Sequence, residues 1–92
     1  ISAEIVNFRF GSNSDLKRIV LDISEDVTFN NKVSKKKIEI NFDKKIFLKK
    51  RPKKNTSLEN VILNESSKKL TLDFKHTIHN TNIYLLKKKK NK

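Results

Sequence analysis

The chain has 92 residues, 22 lysines and arginines against 10 acidic residues, a formal net charge of +12 and no cysteine. A chain of that size forms one domain with a small core, burying about 60–65% of the surface its unfolded form exposes. The absence of cysteine excludes a disulfide frame, a thiolate metal site and a cysteine nucleophile, and no apolar run approaches the roughly 20 residues needed to cross a bilayer, so no membrane span is expected.

The basic excess points to an anionic partner or surface. A second origin competes with selection for charge. Only Arg9, Arg18 and Arg51 are arginines, the remaining cations are lysines, and asparagine and isoleucine are also abundant; an AT-rich coding sequence yields the same composition. Hydrophobic residues make up 35% of the chain, but they gather in short alternating runs, which favours a folded domain over disorder. A chain that opens at Ile1 without a basic start and an apolar signal segment reads as a mature or excised piece of something longer.

In chain order, residues 5–10 alternate as a strand, with Val6, Phe8 and Phe10 expected inward and Asn7 and Arg9 outward. Residues 11–15 (Gly-Ser-Asn-Ser-Asp) read as a turn, because these residues tolerate left-handed backbone or bond their own main chain. Residues 17–24 form the central strand. Its two-residue period places Ile19, Leu21 and Ile23 in the core and Arg18, Val20 and Asp22 outside. Val27 and Phe29 continue the pattern, and Asn30-Asn31 is expected to break it.

A further strand follows at residues 37–42, with Ile38, Ile40 and Phe42 inward, and Ile46, Phe47 and Leu48 make a short apolar run. Residues 49–57 hold the only proline and no apolar side chain, as expected of an exposed loop. Residues 58–63 are ambiguous, since Leu58, Val61 and Ile62 sit at helical spacing while Val61 and Leu63 sit at strand spacing.

An internal repeat decides for a strand. Residues 69–74 copy the central strand, with Leu70, Leu72 and Phe74 on one face and Lys69, Thr71 and Asp73 on the other, and a basic residue again stands four before an outward Asp. Aligning 19–23 with 70–74 makes 58–63 the counterpart of 5–10, and sets Val27 and Val33 against Ile78 and Tyr84. Residues 64–68 are then the second turn. Thr77 to Leu86 ends the folded part, with either Ile83 and Leu85 or Tyr84 and Leu86 inward. The fold class that follows is all-β, a small sandwich of two sheets built from two related halves over residues 1–86, with residues 87–92 as a basic tail or linker.

The order of these elements, with Phe8-Arg9-Phe10-Gly11 ending one strand and Arg18 leading an apolar strand that carries Asp22, resembles the AMIN domain. The resemblance covers roughly residues 5–86. It implies a non-catalytic module of periplasmic cell-envelope proteins, found on N-acetylmuramoyl-L-alanine amidases and on pilus secretins. Such a module binds peptidoglycan and localises its attached zinc amidase or pore to the cell wall, often at the division septum. Peptidoglycan and cell-envelope proteins are then the expected partners, no cofactor is expected, and the domain itself is not an enzyme. This sequence departs from the family pattern in residues 30–36, which lack a proline or aromatic anchor, and in a divergent second half.

Arg9, Arg18 and Asp22 are the candidate peptidoglycan-binding residues, with Lys69 and Asp73 in support. Arginine forks, carboxylate acceptors and short polar groups on a flat sheet suit peptide carboxylates and sugar hydroxyls. The competing reading is a surface ion pair that only keeps the sheet soluble. Asp73, His76 and His79 raise a zinc site, but no third histidine, nearby glutamate or cysteine completes it. No serine-histidine-acid grouping carries a catalytic motif. A basic β-sheet that binds nucleic acid by stacking is the less favoured alternative, because most of the six phenylalanines fall on inward positions. A protein-protein assembly module of a secretin-type complex is the other, although lysines near sheet edges oppose edge pairing.

Overall fold

A computed structural model describes residues 2–13, 16–52 and 57–88. It is all-β, with eight strands in two four-stranded sheets: β1 (Ala3–Asn13), β2 (Leu16–Ile23), β3 (Phe29–Val33), β4 (Lys37–Phe42), β5 (Ile46–Leu48), β6 (Leu58–Leu63), β7 (Lys69–Phe74) and β8 (Asn80–Lys87). One sheet, here the arginine sheet, has the order β5-β1-β2-β8, and the other, the lysine sheet, β3-β4-β7-β6. Expectations for Ser14 and Asp15, for residues 53–56 of the loop and for residues 89–92 of the tail fall outside the described residues.

The core is aliphatic. Ile5, Ile19, Leu21 and Ile23 of the arginine sheet face Ile38, Ile40, Leu70 and Leu72 of the lysine sheet, and all eight are at most 2% exposed. Burying each such side chain contributes about 1.5–3 kcal/mol relative to leaving it in water. Phe42, Phe74 and Ile78 close the core's margins.

The two halves of the sequence are two hairpins of the same build, one in each sheet. In β1–β2, Ile5 pairs Ile23 and Asn7 pairs Asp22, leaving one extra residue between; in β6–β7, Leu58 pairs Phe74 and Asn60 pairs Asp73, again with one extra. Beyond the bulge the registers stay in step, Phe8 with Leu21 and Val61 with Leu72. The repeat inferred from residues 19–23 and 70–74 is therefore a repeat of register as well as of pattern.

The bulge corrects the reading of the first strand. Val6 was expected inward, but it occupies the irregular position and is only half-buried, while Ala3 and Ile5 take the core positions before it. Phe8 and Phe10 do share the inner face, with near-parallel rings 6.2 Å apart. Phe10 nevertheless remains 36% exposed, because β1 runs on to Asn13. Gly11, Ser12 and Asn13, expected in the turn, are strand residues paired with Arg18, Lys17 and Leu16.

Asn30-Asn31 does not break the chain either, since both lie within β3. Beyond Phe29 the strand is exposed on both faces and covers no core, so it needs no alternation, and the Asn41 Nδ2 group donates to Asn30 Oδ1 across the ladder at 3.2 Å. The register of β8 is settled: Ile83 and Leu85 pack on the core, and Tyr84 and Leu86 face out. That strand also includes Lys87, the first residue assigned to the tail, and the Lys88 amide still donates to the Ile23 carbonyl at 2.8 Å.

The turn at residues 64–68 ties the sheets together. Asn64 Oδ1 accepts from the Lys68 and Lys69 amides at 3.1 and 3.0 Å, an asparagine bonding its own following main chain. Ser67 adopts a left-handed φ of 61° and its carbonyl accepts from the Ile46 amide at 2.7 Å, which pins the crossing from β4 to β5. Leu21→Ala and Leu72→Ala should each lower stability by about 2–5 kcal/mol in urea denaturation. Ser67→Gly, which relieves the left-handed backbone, should raise it by about 0.5–1 kcal/mol in the same assay.

Candidate functional site

Three cross-strand rows make up the outer face of the arginine sheet. Because directly paired residues share a face, Asn7, Asp22 and Leu86 form one row, Arg9, Val20 and Tyr84 the next, and Gly11, Arg18 and Asn82 the third. Glu4 and the exposed Phe47 extend the face toward the β5 edge. Among the described residues these rows form an open platform.

Arg9 reaches diagonally across β1–β2 to Asp22, with Nε to Oδ2 at 2.9 Å and Nη2 to Oδ1 at 2.7 Å. This two-pronged geometry matches a guanidinium fork to a carboxylate. The Arg9 side chain is 52% exposed and that of Asp22 only 16%, so the arginine keeps solvent-facing surface while the carboxylate is largely used. Arg18, four residues from Asp22 on the same strand, stands about 13 Å away along it. It has no ion-pair partner among the described residues, and its neighbour Gly11 offers no side chain to cover it.

Val20 points away from the core, yet is only 8% exposed. Its neighbours in the row are Arg9 and Tyr84, long side chains able to lie across it. Tyr84 itself is 45% exposed. An aromatic ring with a hydroxyl, with Asn82 on the same face of its own strand, Arg18 and Asp22 diagonal to it on β2 and Arg9 beyond Val20 in its row, can stack on a sugar or peptide face and exchange hydrogen bonds at its rim. Tyr84 and Asn82 were absent from the sequence-derived candidates because the facing of β8 was open between two registers.

Lys69 and Asp73 are placed elsewhere. They lie on the outer face of the lysine sheet, Lys69 beside Asn41 and Asp73 between Lys37 and Asn60. The structure thus brings together Arg9 and Asp22, sets Arg18 on the same face, and puts Lys69 and Asp73 on the opposite side of the sandwich. The hairpin repeat preserves Asn7 and Asp22 as Asn60 and Asp73, but Arg9 becomes Ile62, and Glu39 stands beside Thr71 where Tyr84 stands beside Val20. Only the first face combines arginine with an exposed aromatic.

His76 and His79 sit exposed in the connection from β7 to β8 rather than on a strand. No group of three potential metal ligands occurs among the described residues. At one end of the sandwich an open depression of about 420 Å³ is lined by Ser2, Asp43, Lys44, Lys45 and Lys68. Its three lysines come from two turns, Lys44 and Lys45 from the β4–β5 connection and Lys68 from the β6–β7 turn, and strand periodicity carries no signal for such a grouping.

No protein-family model, curated protein or solved structure matches the chain. No helix is long and apolar enough to cross a membrane.

The exposure of Arg9 limits what its ion pair adds to stability. In a double-mutant cycle of Arg9→Ala and Asp22→Ala, followed by urea denaturation, the coupling energy should be about 1 kcal/mol or less.

Proposed function

We propose that this chain is a non-catalytic peptidoglycan-binding domain of the AMIN type, localising an attached envelope protein such as an amidase in the bacterial periplasm. The observation that carries the reading is the outer face of the arginine sheet, where the Arg9–Asp22 fork, Arg18 and exposed Tyr84 occupy one flat surface. A polymer of sugars and short peptides presents hydroxyls and carboxylates along a line, which a flat sheet can follow and a closed pocket cannot. Arg18 binds a peptide carboxylate, Tyr84 and Asn82 meet the sugar, and Arg9 offers its exposed edge while Asp22 holds it in place. Each contact is weak, and repetition along the wall gives avidity. Lys69 and Asp73 form a second, independent patch, so the two faces engage different strands of the wall.

Single-stranded nucleic acid is the second reading. The lysine-lined depression and an exposed tyrosine favour it.

Co-sedimentation with purified sacculi, at low and moderately high salt and with a single-stranded oligonucleotide as competitor, separates the two. Wall binding should survive salt in part and resist the oligonucleotide, whereas affinity carried by phosphate contacts collapses with salt. Arg18→Ala with Tyr84→Ala should reduce pelleting at least tenfold with β circular dichroism unchanged, a larger loss than from Lys69→Ala with Asp73→Ala. Pelleting that the first pair of substitutions leaves intact would remove the arginine face from the site.

A further inference from the structure

A sheet edge presents unpaired amides and carbonyls, and folded proteins ordinarily blunt such edges with short strands, charges or covering groups. Three of the four edge strands are short, charged or capped, although β5 covers only Ala3–Ile5 of β1 and the rest of that strand, which carries Arg9, has no described ladder partner on that side. β5 has three residues, β3 has five with Lys32 among them, and on β6 the Arg51 Nη1 group caps the Val61 carbonyl at 2.9 Å.

The fourth edge, β8, is different. It has eight residues, carries no charge from Asn80 to Leu86, and is rich in β-forming side chains at Ile83, Tyr84, Leu85 and Leu86. Among the described residues its only ladder partner is β2. The Lys88 amide donates to the Ile23 carbonyl. Backbone groups alternate sides along a strand, so the even-numbered residues of β8 face β2, and Thr81, Ile83, Leu85 and Lys87 direct their amides and carbonyls away from the sheet.

We propose that β8 is an assembly edge that pairs antiparallel with β8 of a second copy of this chain, joining two arginine sheets into one continuous eight-stranded sheet. A second copy is the occupant that fits, because antiparallel pairing about a two-fold axis uses one edge twice and needs no separate complementary surface. The register that engages all four outward residues pairs Thr81 with Lys87 and Ile83 with Leu85 of the other copy, giving roughly eight inter-copy hydrogen bonds at two per bonded pair. In that register the two Tyr84 residues stand directly opposite each other, Leu86 meets Asn82, and the one charge, Lys87, meets Thr81 rather than its own equivalent. Like charges therefore avoid contact along the seam of two strongly basic copies.

Sedimentation equilibrium of the chain, from micromolar to submillimolar concentration, should show the mass rising toward twice 10.8 kDa. Added salt should tighten the dimer by screening the repulsion between two +12 chains. Tyr84→Lys sets two lysines face to face and should weaken dimerisation at least tenfold while the circular dichroism stays that of the parent. The chain has no cysteine, so Tyr84→Cys adds a single thiol. Opposed non-bonded residues of an antiparallel pair lie about 4.5 Å apart at Cα, within disulfide reach. Mild oxidation should cross-link that variant, and should not cross-link Phe47→Cys on the blunted β5 edge. A monomeric mass throughout, or a dimer that Tyr84→Lys leaves intact, would overturn the proposal.

Discussion

One extra residue in β1 decides which side chains of this protein meet water. Before the bulge, Ile5 is in the core; after it, Phe8 and Phe10 are inward and Arg9 is outward. An unbroken two-residue period starting from a buried Ile5 would carry Asn7 and Arg9 into the interior, where an unpaired guanidinium costs several kcal/mol. The irregularity at Val6 reconciles an apolar start with a polar outer face, and it sets Arg9 one step from Asp22. Glu59 plays the same part in β6, where the shift keeps Leu58, Val61 and Leu63 on the core side. Because the bulge recurs at the same place, the two sheets inherit the same inner geometry and can pack their aliphatic faces on each other.

The connections then make the outer faces unlike. From each hairpin the chain crosses to the opposite sheet, β2 to β3 and β7 to β8. The arrivals differ, since β8 lies parallel against β2 whereas β3 lies at the margin and β4 takes the place beside β7. Hence Val20 gains an aromatic neighbour and its counterpart Thr71 gains Glu39. A repeat in sequence became two equivalent scaffolds with different surfaces, one pairing arginine with an exposed tyrosine and the other lysine with carboxylates.

Most strands, the sandwich class and the hairpin repeat were legible because the inner residues of β2, β4 and β7 alternate without interruption. The bulges were not, although they left a trace. Leu58 and Val61, like Ile5 and Phe8, are three apart and then resume at two, and this is what made residues 58–63 look partly helical. In β8 both faces are apolar, Ile83 and Leu85 inward and Tyr84 and Leu86 outward, so periodicity carried no information about which would be buried. Tyr84 was missed for that reason, and its position became defined only by the parallel register with β2. Asn30-Asn31 misled for a related one: a strand at the margin has lost the alternation on which the reading depends.

The distribution of charge separates two questions that composition had merged. On the outer face of the arginine sheet the described charges are Glu4, Arg9, Arg18 and Asp22, which balance, with Arg9 and Asp22 engaged in a fork. The lysines gather in turns instead: Lys35 and Lys36 beside the β7–β8 connection, where their carbonyls accept from the Ile78 and Phe74 amides, and Lys44, Lys45 and Lys68 around the depression at the other end. Turn positions tolerate lysine because the side chain stays solvated, with little effect on the fold. The arginines of β1 and β2 have no such freedom, being set by register on a flat face beside an aromatic ring. Among the described residues part of the basic excess thus sits in turns at the ends of the sandwich, whereas Arg9, Arg18 and Asp22 lie on a face whose described charges balance, so what that face offers a ligand is fork and ring geometry more than net field.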